Sequence, residues 1–192
     1  IPPTRPSPNP YRLSPIAYRL SPIAMVPPMN LSCFKAYDVR GVVPDTLNEE
    51  IARRIGRAFA LEIDPGRVVL GHDIRLTSPA LASALSEGLR DGGVDVFDIG
   101  LCGTEEIYFA TAHYEMGGGI MVTASHNPMD YNGIKFVREH SRPVSGDTGL
   151  VAVRKRAESG EFPDAGRRGT LEKLDARPAY IQHLLSYVDR DH

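Results

Sequence analysis

Apolar positions along this chain alternate between short β-branched runs and longer stretches spaced like a helix stripe. Ile51, Ile55 and Phe59 fall at i, i+4 and i+8, which predicts an amphipathic helix. Thr46 with Glu49 reads as its capping box, and Asp64-Pro65-Gly66 closes it. Arg67 to Leu70 is a short strand, and Gly71 to Thr77 is a polar loop at its carboxyl end. Leu81, Leu85 and Leu89 form a second stripe, capped by Ser78 with Pro79 at the first position and stopped by Gly92-Gly93. Val94 to Ile99 is the next strand, and Thr104 with Glu105 and Glu106 opens a third helix toward Tyr114. Ile120 to Val122 reads as a strand covered on both faces. Asn132-Gly133 predicts a tight turn from which Ile134 to Val137 returns antiparallel. Asp147 to Ala157 reads as a further helix ending at Gly160, and Leu31 to Phe34 as a short strand. This alternation predicts an α/β fold: a layered α/β/α domain around a mixed, mostly parallel sheet.

The two ends have a different texture. Residues 1–30 hold nine of the sixteen prolines and a direct repeat, Tyr11 to Ala17 and Tyr18 to Ala24. Such a segment holds neither a helix nor a central strand, so residues 1–28 are expected to be a disordered tail. The tail is further expected to be an artefact of the assigned start, with Met29 or Met25 as initiator. The α/β domain then occupies 29–160. Residues 161–192 form a charged linker and the start of a second domain, with a short strand at Leu171 to Leu174 and a helix over Ala179 to Val188.

Composition narrows the class. At 192 residues and 42% hydrophobic, the chain can bury one good core. A net charge of −2 gives no basic field for nucleic acid or membrane. Cys33 and Cys102 are too few for a disulfide scaffold. No apolar run approaches the ~20 residues of a membrane span. A soluble, cytoplasmic protein is the expectation.

Candidate chemistry concentrates where the Ile120–Val122 strand ends. Ser125, His126 and Asn127 are small or polar, and Pro128 lacks the N–H that a central ladder needs. The run therefore leaves the sheet near Ala124 and presents Ser125 at the carboxyl end of a strand, where open α/β sheets bind ligands. His126, Asn127 and Lys135 offer donors and a titratable group around a hydroxyl that is a weak nucleophile alone. From residue types alone, an ordinary polar turn is the favoured reading.

Thr123-Ala124-Ser125-His126-Asn127-Pro128, with Asp130-Tyr131-Asn132-Gly133 and Lys135, resembles the phosphoserine loop of the α-D-phosphohexomutases, and more narrowly that of the bacterial phosphomannomutases. Lys35 to Gly41 resembles the N-terminal active-site loop of that family, and Gly71-His72-Asp73-Ile74-Arg75 its Gly-x-Asp-x-Arg loop. The likeness covers roughly residues 29–190, the family's first domain and the lead-in to its second. It implies that Ser125 carries a phosphoryl group and passes it to a hexose phosphate, interconverting mannose 6-phosphate and mannose 1-phosphate through a hexose 1,6-bisphosphate. That bisphosphate is the implied activator. Ser125, Lys135, His126 and Arg40 are the implied catalytic residues, and Tyr37, Arg40, Asn127 and Lys135 the implied substrate contacts. Lys135 is favoured over His126 as acid and base, since a lysine among cations and away from water can have its pKa lowered. Mg2+ is implied too, bound through the phosphate on Ser125. The family's Asp-x-Asp-x-Asp ligands are absent from this sequence, so the chain alone is expected to lack turnover. A noncatalytic sugar-phosphate-binding fragment, or a serine hydrolase, are the alternatives; a hydrolase lacks its Gly-x-Ser-x-Gly elbow here.

The remaining polar candidates are weaker. Asp73 can pair with Arg75 or Arg40, or meet substrate directly. His72 reads as a spectator. Glu105 and Glu106 point about 100° apart on a helix and serve its dipole rather than forming a glycosidase pair. His113, His183 and His192 have no partner at metal spacing.

Overall fold

A computed structural model describes residues 24–25 and 27–188. The tandem repeat lies almost wholly outside the described residues. The first element, β1 (Ala24–Met25), pairs antiparallel with β7 (Glu161–Phe162). Between them in sequence run β2 (Val39–Val42), α1 (Glu49–Ile63), β3 (Arg67–His72), α2 (Ser78–Asp91), β4 (Asp95–Leu101), α3 (Thr104–His113), β5 (Gly118–Val122), β6 (Tyr131–Arg138) and α4 (Leu150–Ser159). Then follow β8 (Leu171–Lys173) and α5 (Arg177–Leu185).

Six strands form the main sheet in the order β2-β6-β5-β3-β4-β8. β5, β3, β4 and β8 run parallel, and β6 and β2 are antiparallel to their neighbours. Period-two alternation sends neighbouring side chains into two separate cores. Val68, Leu70, Ile120, Val122, Ile134 and Phe136 join Ile55 and Phe59 of α1 and Leu85 of α2 on one face. Val69 and Met121 join Ile107 and Ala110 of α3 on the other. Both faces are thus covered, giving the α/β/α layering that the apolar runs predict. Cys33 belongs to the first core, and Cys102 packs against the second. Burial pushes their thiols up, to about 11 for Cys33 and about 12 for Cys102.

Several local expectations change. The N-cap of α1 is Asn48, whose Oδ1 accepts from the Ile51 N–H at 3.0 Å; Thr46 instead uses its Oγ1 to accept from the Val42 N–H at 2.8 Å. Leu31 to Phe34 forms no strand, only an isolated bridge from Phe34 to Val39. The edge strand β2 lies inside the stretch read as a loop, because Val39 reaches the core and its neighbours pair with β6. Asn132 and Gly133 lie within β6 rather than in a turn. A Cβ on Gly133 would stand 2.3 Å from the Val39 carbonyl oxygen, so the glycine serves close strand approach. The α4 helix starts at Leu150, after a short 3-10 turn over Gly146–Thr148, and ends at Gly160 in a left-handed conformation (φ 69°). Toward the chain end, α5 rests on α3 through Phe109, whose ring lies 5.4 Å from Tyr180 and 4.9 Å from His183.

Candidate functional site: the serine loop

Strand β5 ends at Val122, and the next residues are held by short-range bonds. The Thr123 N–H donates to the Gly133 carbonyl at 2.9 Å, and Thr123 Oγ1 accepts from the Ser125 N–H at 2.9 Å. Asn127 donates to the Ala124 carbonyl twice, from its backbone at 3.0 Å and from Nδ2 at 2.7 Å. Ser125 takes a left-handed conformation (φ 54°), at a cost of about 1–2 kcal/mol for a residue with a Cβ. Its side chain is exposed, and Oγ lies 3.3 Å from His126 Nδ1. The hydroxyl therefore stands at the rim of the sheet, as the strand-end pattern predicts.

A single guanidinium fixes this loop from the neighbouring strand end. Arg75 donates to four carbonyls: Ser125 at 2.9 Å and Asn127 at 2.6 Å from Nη2, Pro128 at 2.7 Å and Tyr131 at 3.0 Å from Nη1. Asp73 holds Arg75 in turn, with an ion pair at 3.5 Å and a bond from the Arg75 N–H at 3.0 Å. Asp73 also accepts from Ser78 Oγ at 2.5 Å. Ser78 Oγ and Thr77 Oγ1 receive the two donor bonds of the buried Asn132 amide, at 2.9 and 2.8 Å. Of the two arginine pairings open for Asp73, the one with Arg75 is formed.

A second polar group sits on β2 and β6. Arg40 Nε and Nη2 both contact Asp38 Oδ2 at 2.8 Å, and Lys135 Nζ lies 4.0 Å from the same oxygen. Arg40 is in register with Gly133, and a Cβ there would meet the Arg40 stem at 3.4 Å. Thr123, just past the end of β5, Gly133 on β6 and Arg40 on β2 thus form a row two residues short of Ser125. Lys135 has an anion, Asp38, 4.0 Å away, where the sequence reading expects a lysine among cations. No hydrogen bond or ion pair among the described residues joins Arg40 or Lys135 to Ser125 Oγ. Tyr37 is 77% exposed. A cavity of about 650 Å3 opens beside the serine, lined by Asp73, Arg75, Thr77, Ser125, Asn127 and Asp130 with Ile74, Leu76 and Met129 at its apolar side.

Residues 32–164 match the family model described as phosphoglucomutase/phosphomannomutase, alpha/beta/alpha domain I. The chain belongs to this family. A phosphomannomutase from Salmonella montevideo is 60% identical over 161 residues, 83% of this chain and 35% of the relative. One from Klebsiella pneumoniae is 57% identical over 153 residues, 79% of this chain and 98% of the relative. A Xanthomonas campestris pv. campestris (strain B100) protein named "Phosphohexose mutases" is 60% identical over 84% of this chain. This chain covers only 36% of that relative's length. The crystal structure of a phosphoglucomutase/phosphomannomutase family protein from Burkholderia thailandensis superposes with a TM-score of 0.76 at 36% identity, covering 84% of this chain and 37% of that one.

Within this domain of the family, the residues sequence reasoning undervalued are Asp38, Arg75 and Asn132. An acid two residues before Arg40 was available as a signal for Asp38. The Gly-x-Asp-x-Arg loop flags Arg75 and the Asn-Gly pair flags Asn132, but neither signal tells that their partners Ser125 and Ser78 lie 50 and 54 positions away. The other polar candidates have structural partners. Glu106 accepts from the Gly103 N–H at 2.8 Å, opening α3, and lies 3.6 Å from Arg177. His113 stacks on Phe109 and His183 packs tilted against the same ring, and His72 Nδ1 lies 2.9 Å from the Asp73 carbonyl. His192 lies outside the described residues. No three His, Cys, Asp or Glu side chains converge among the described residues, and Asp73, which lines the cavity beside Ser125, is already engaged by Arg75 and Ser78. The donors present do not make up a magnesium site.

Proposed function

We propose that this chain is the serine-bearing first domain of a phosphomannomutase that interconverts mannose 6-phosphate and mannose 1-phosphate. The observation that carries this reading is the exposed Ser125 hydroxyl at the carboxyl end of β5, on a loop that matches the family's phosphoserine loop. In the proposed step, phosphoserine gives its phosphoryl group to a hydroxyl of the hexose phosphate. The bond from phosphorus to Ser125 Oγ breaks as the bond to the sugar oxygen forms, and the sugar proton returns to the serine side. A hexose 1,6-bisphosphate results, turns round, and rephosphorylates the serine from its other end.

This chemistry needs positioning and positive charge more than a strong nucleophile. Arg40 and Lys135 supply the charge, with Asp38 holding Arg40 in one orientation. His126, with Nδ1 3.3 Å from Oγ, is the group within reach of the serine proton, so we assign it the exchange that the sequence assigns to Lys135. Asn127, which lines the cavity beside Ser125, and the exposed Tyr37 are the substrate contacts in this reading. Mg2+, which the family implies, would need carboxylates beyond those that converge among the described residues. A cytoplasmic setting and a hexose phosphate partner go with this reading. Among the described residues no helix is long and apolar enough to cross a membrane. The hydrolase alternative loses ground because no third group hydrogen-bonds His126 among the described residues, and a triad needs one.

Incubation with hexose 1,6-bisphosphate, followed by intact mass and peptide mapping, tests the proposal. The expected outcome is one phosphate on Ser125, and none in Ser125→Ala, whose unfolding free energy stays within about 0.5 kcal/mol of the parent. Phosphate on another residue, or reaction of Ser125 with a fluorophosphonate and none with the bisphosphate, would sink it.

A further inference from the structure

We infer that Arg75 is a positioning residue that sets the orientation of the Ser125 hydroxyl, and that Asp73 keeps Arg75 in place to do so. The inference concerns the loop's geometry, and its catalytic consequence rests on the reading above. A left-handed serine is not a conformation that the local sequence selects: Ala124, Ser125 and His126 have ordinary preferences, and no glycine is available at the turn. Something outside the loop must hold it. Arg75 does so with four charge-assisted bonds to carbonyls at both ends of the turn, Ser125 and Asn127 on one side and Pro128 and Tyr131 on the other. A planar fork can satisfy such a set, and an ammonium cannot.

The clamp is itself fixed. Its side chain is 15% exposed, and Asp73 at 19% accepts from the Arg75 and Ser78 donors. Asn132 ties Ser78 to β6, and the Asp73 N–H donates to the Val122 carbonyl at 3.0 Å. The ends of β3 and β5 are thereby locked together, and the serine loop hangs from that junction.

Amide hydrogen exchange by NMR tests the clamp without requiring any phosphoryl transfer. The reporters are the Asn127 and Tyr131 amides, which bond to Ala124 and Pro128 within the loop, with amides of α1 as the internal reference. In Arg75→Ala both loop amides should exchange about tenfold faster or more, since a hydrogen bond to a charged group is worth at least that factor. The α1 amides should be unchanged, and methylguanidinium in the buffer should restore loop protection. Arg75→Lys, which keeps a buried cation, should fall between. At saturating hexose 1,6-bisphosphate, Arg75→Lys should also slow phosphorylation of Ser125 about tenfold with the half-saturating concentration unchanged. Loop amides that keep their protection, or that speed up only in step with α1, would overturn the clamp. Faster loop exchange with an unchanged phosphorylation rate would overturn its positioning role. A parent protein that never takes phosphate defeats the functional reading alone, and the exchange data still decide the clamp.

Discussion

Asn132 shows how a single residue can mislead. Next to Gly133 it has the strongest short-range turn signature in the chain, yet it is fully buried and spends both amide hydrogens on Thr77 and Ser78. Replacing it with alanine leaves two hydroxyls to find new partners in a closed space. Asn132→Ala should lose about 1–3 kcal/mol in urea unfolding. The rim position of Ser125 was legible from a buried β-branched run that gives way to polar residues and a proline, but residue types alone fit an ordinary turn and only the family likeness singles out the hydroxyl. Arg40 has a neighbour that the sequence reading leaves out, Asp38. The guanidinium is already oriented by a carboxylate, so a phosphate would meet it prearranged. The two thiols predict a pH effect. Both are held above their ordinary value of 9.0 by burial, to about 11 and about 12. Above pH 9 the unfolded chain releases thiol protons that the folded one retains. Stability is therefore whole below pH 9 and declines as pH rises toward 11 and 12. A Cys33→Ala, Cys102→Ala protein should show a shallower fall of melting temperature over pH 9 to 11 than the parent.

At the level of elements, periodicity located α1, α2, α3 and the strands β3, β4, β5 and β6, because each has one face or both committed to a core. What it could not give was which residues cap and which glycines separate. Capping depends on a turn's exact backbone: Thr46 and Asn48 are both good candidates by type, and the chain's path after Val42 decides for Asn48. The glycines of α1 and α2 depend on the partner helix. A Cβ on Gly88 would stand 1.9 Å from the Arg53 carbonyl oxygen, and one on Gly56 2.3 Å from that of Leu85. In an exposed helix, glycine to alanine gains about 1 kcal/mol. Here the overlap forces the two helices apart, at a cost of about 1–3 kcal/mol. Gly88→Ala should therefore lower the urea midpoint, against the propensity trend, with the denaturant slope unchanged.

For the molecule as a whole, the sheet separates two cores of different size and closure. The larger one is sealed by α1, α2 and α4. The smaller one is covered by α3 with help from α5, and α5 has no buried residue of its own. Its amides should exchange with solvent far faster than those of β5, a difference that hydrogen exchange would read directly. This asymmetry was not legible from pattern, since Ile181, Leu184 and Val188 promise a buried stripe. They stand about half exposed, because this helix touches only the rim of α3. The placement of one thiol on each side of the sheet has a practical use. Cys33 lies in the larger core and Cys102 beside the smaller one, so an alkylating reagent applied under folding conditions would time the opening of each layer separately, and the order in which the two adducts accumulate would say which side of the protein lets go first.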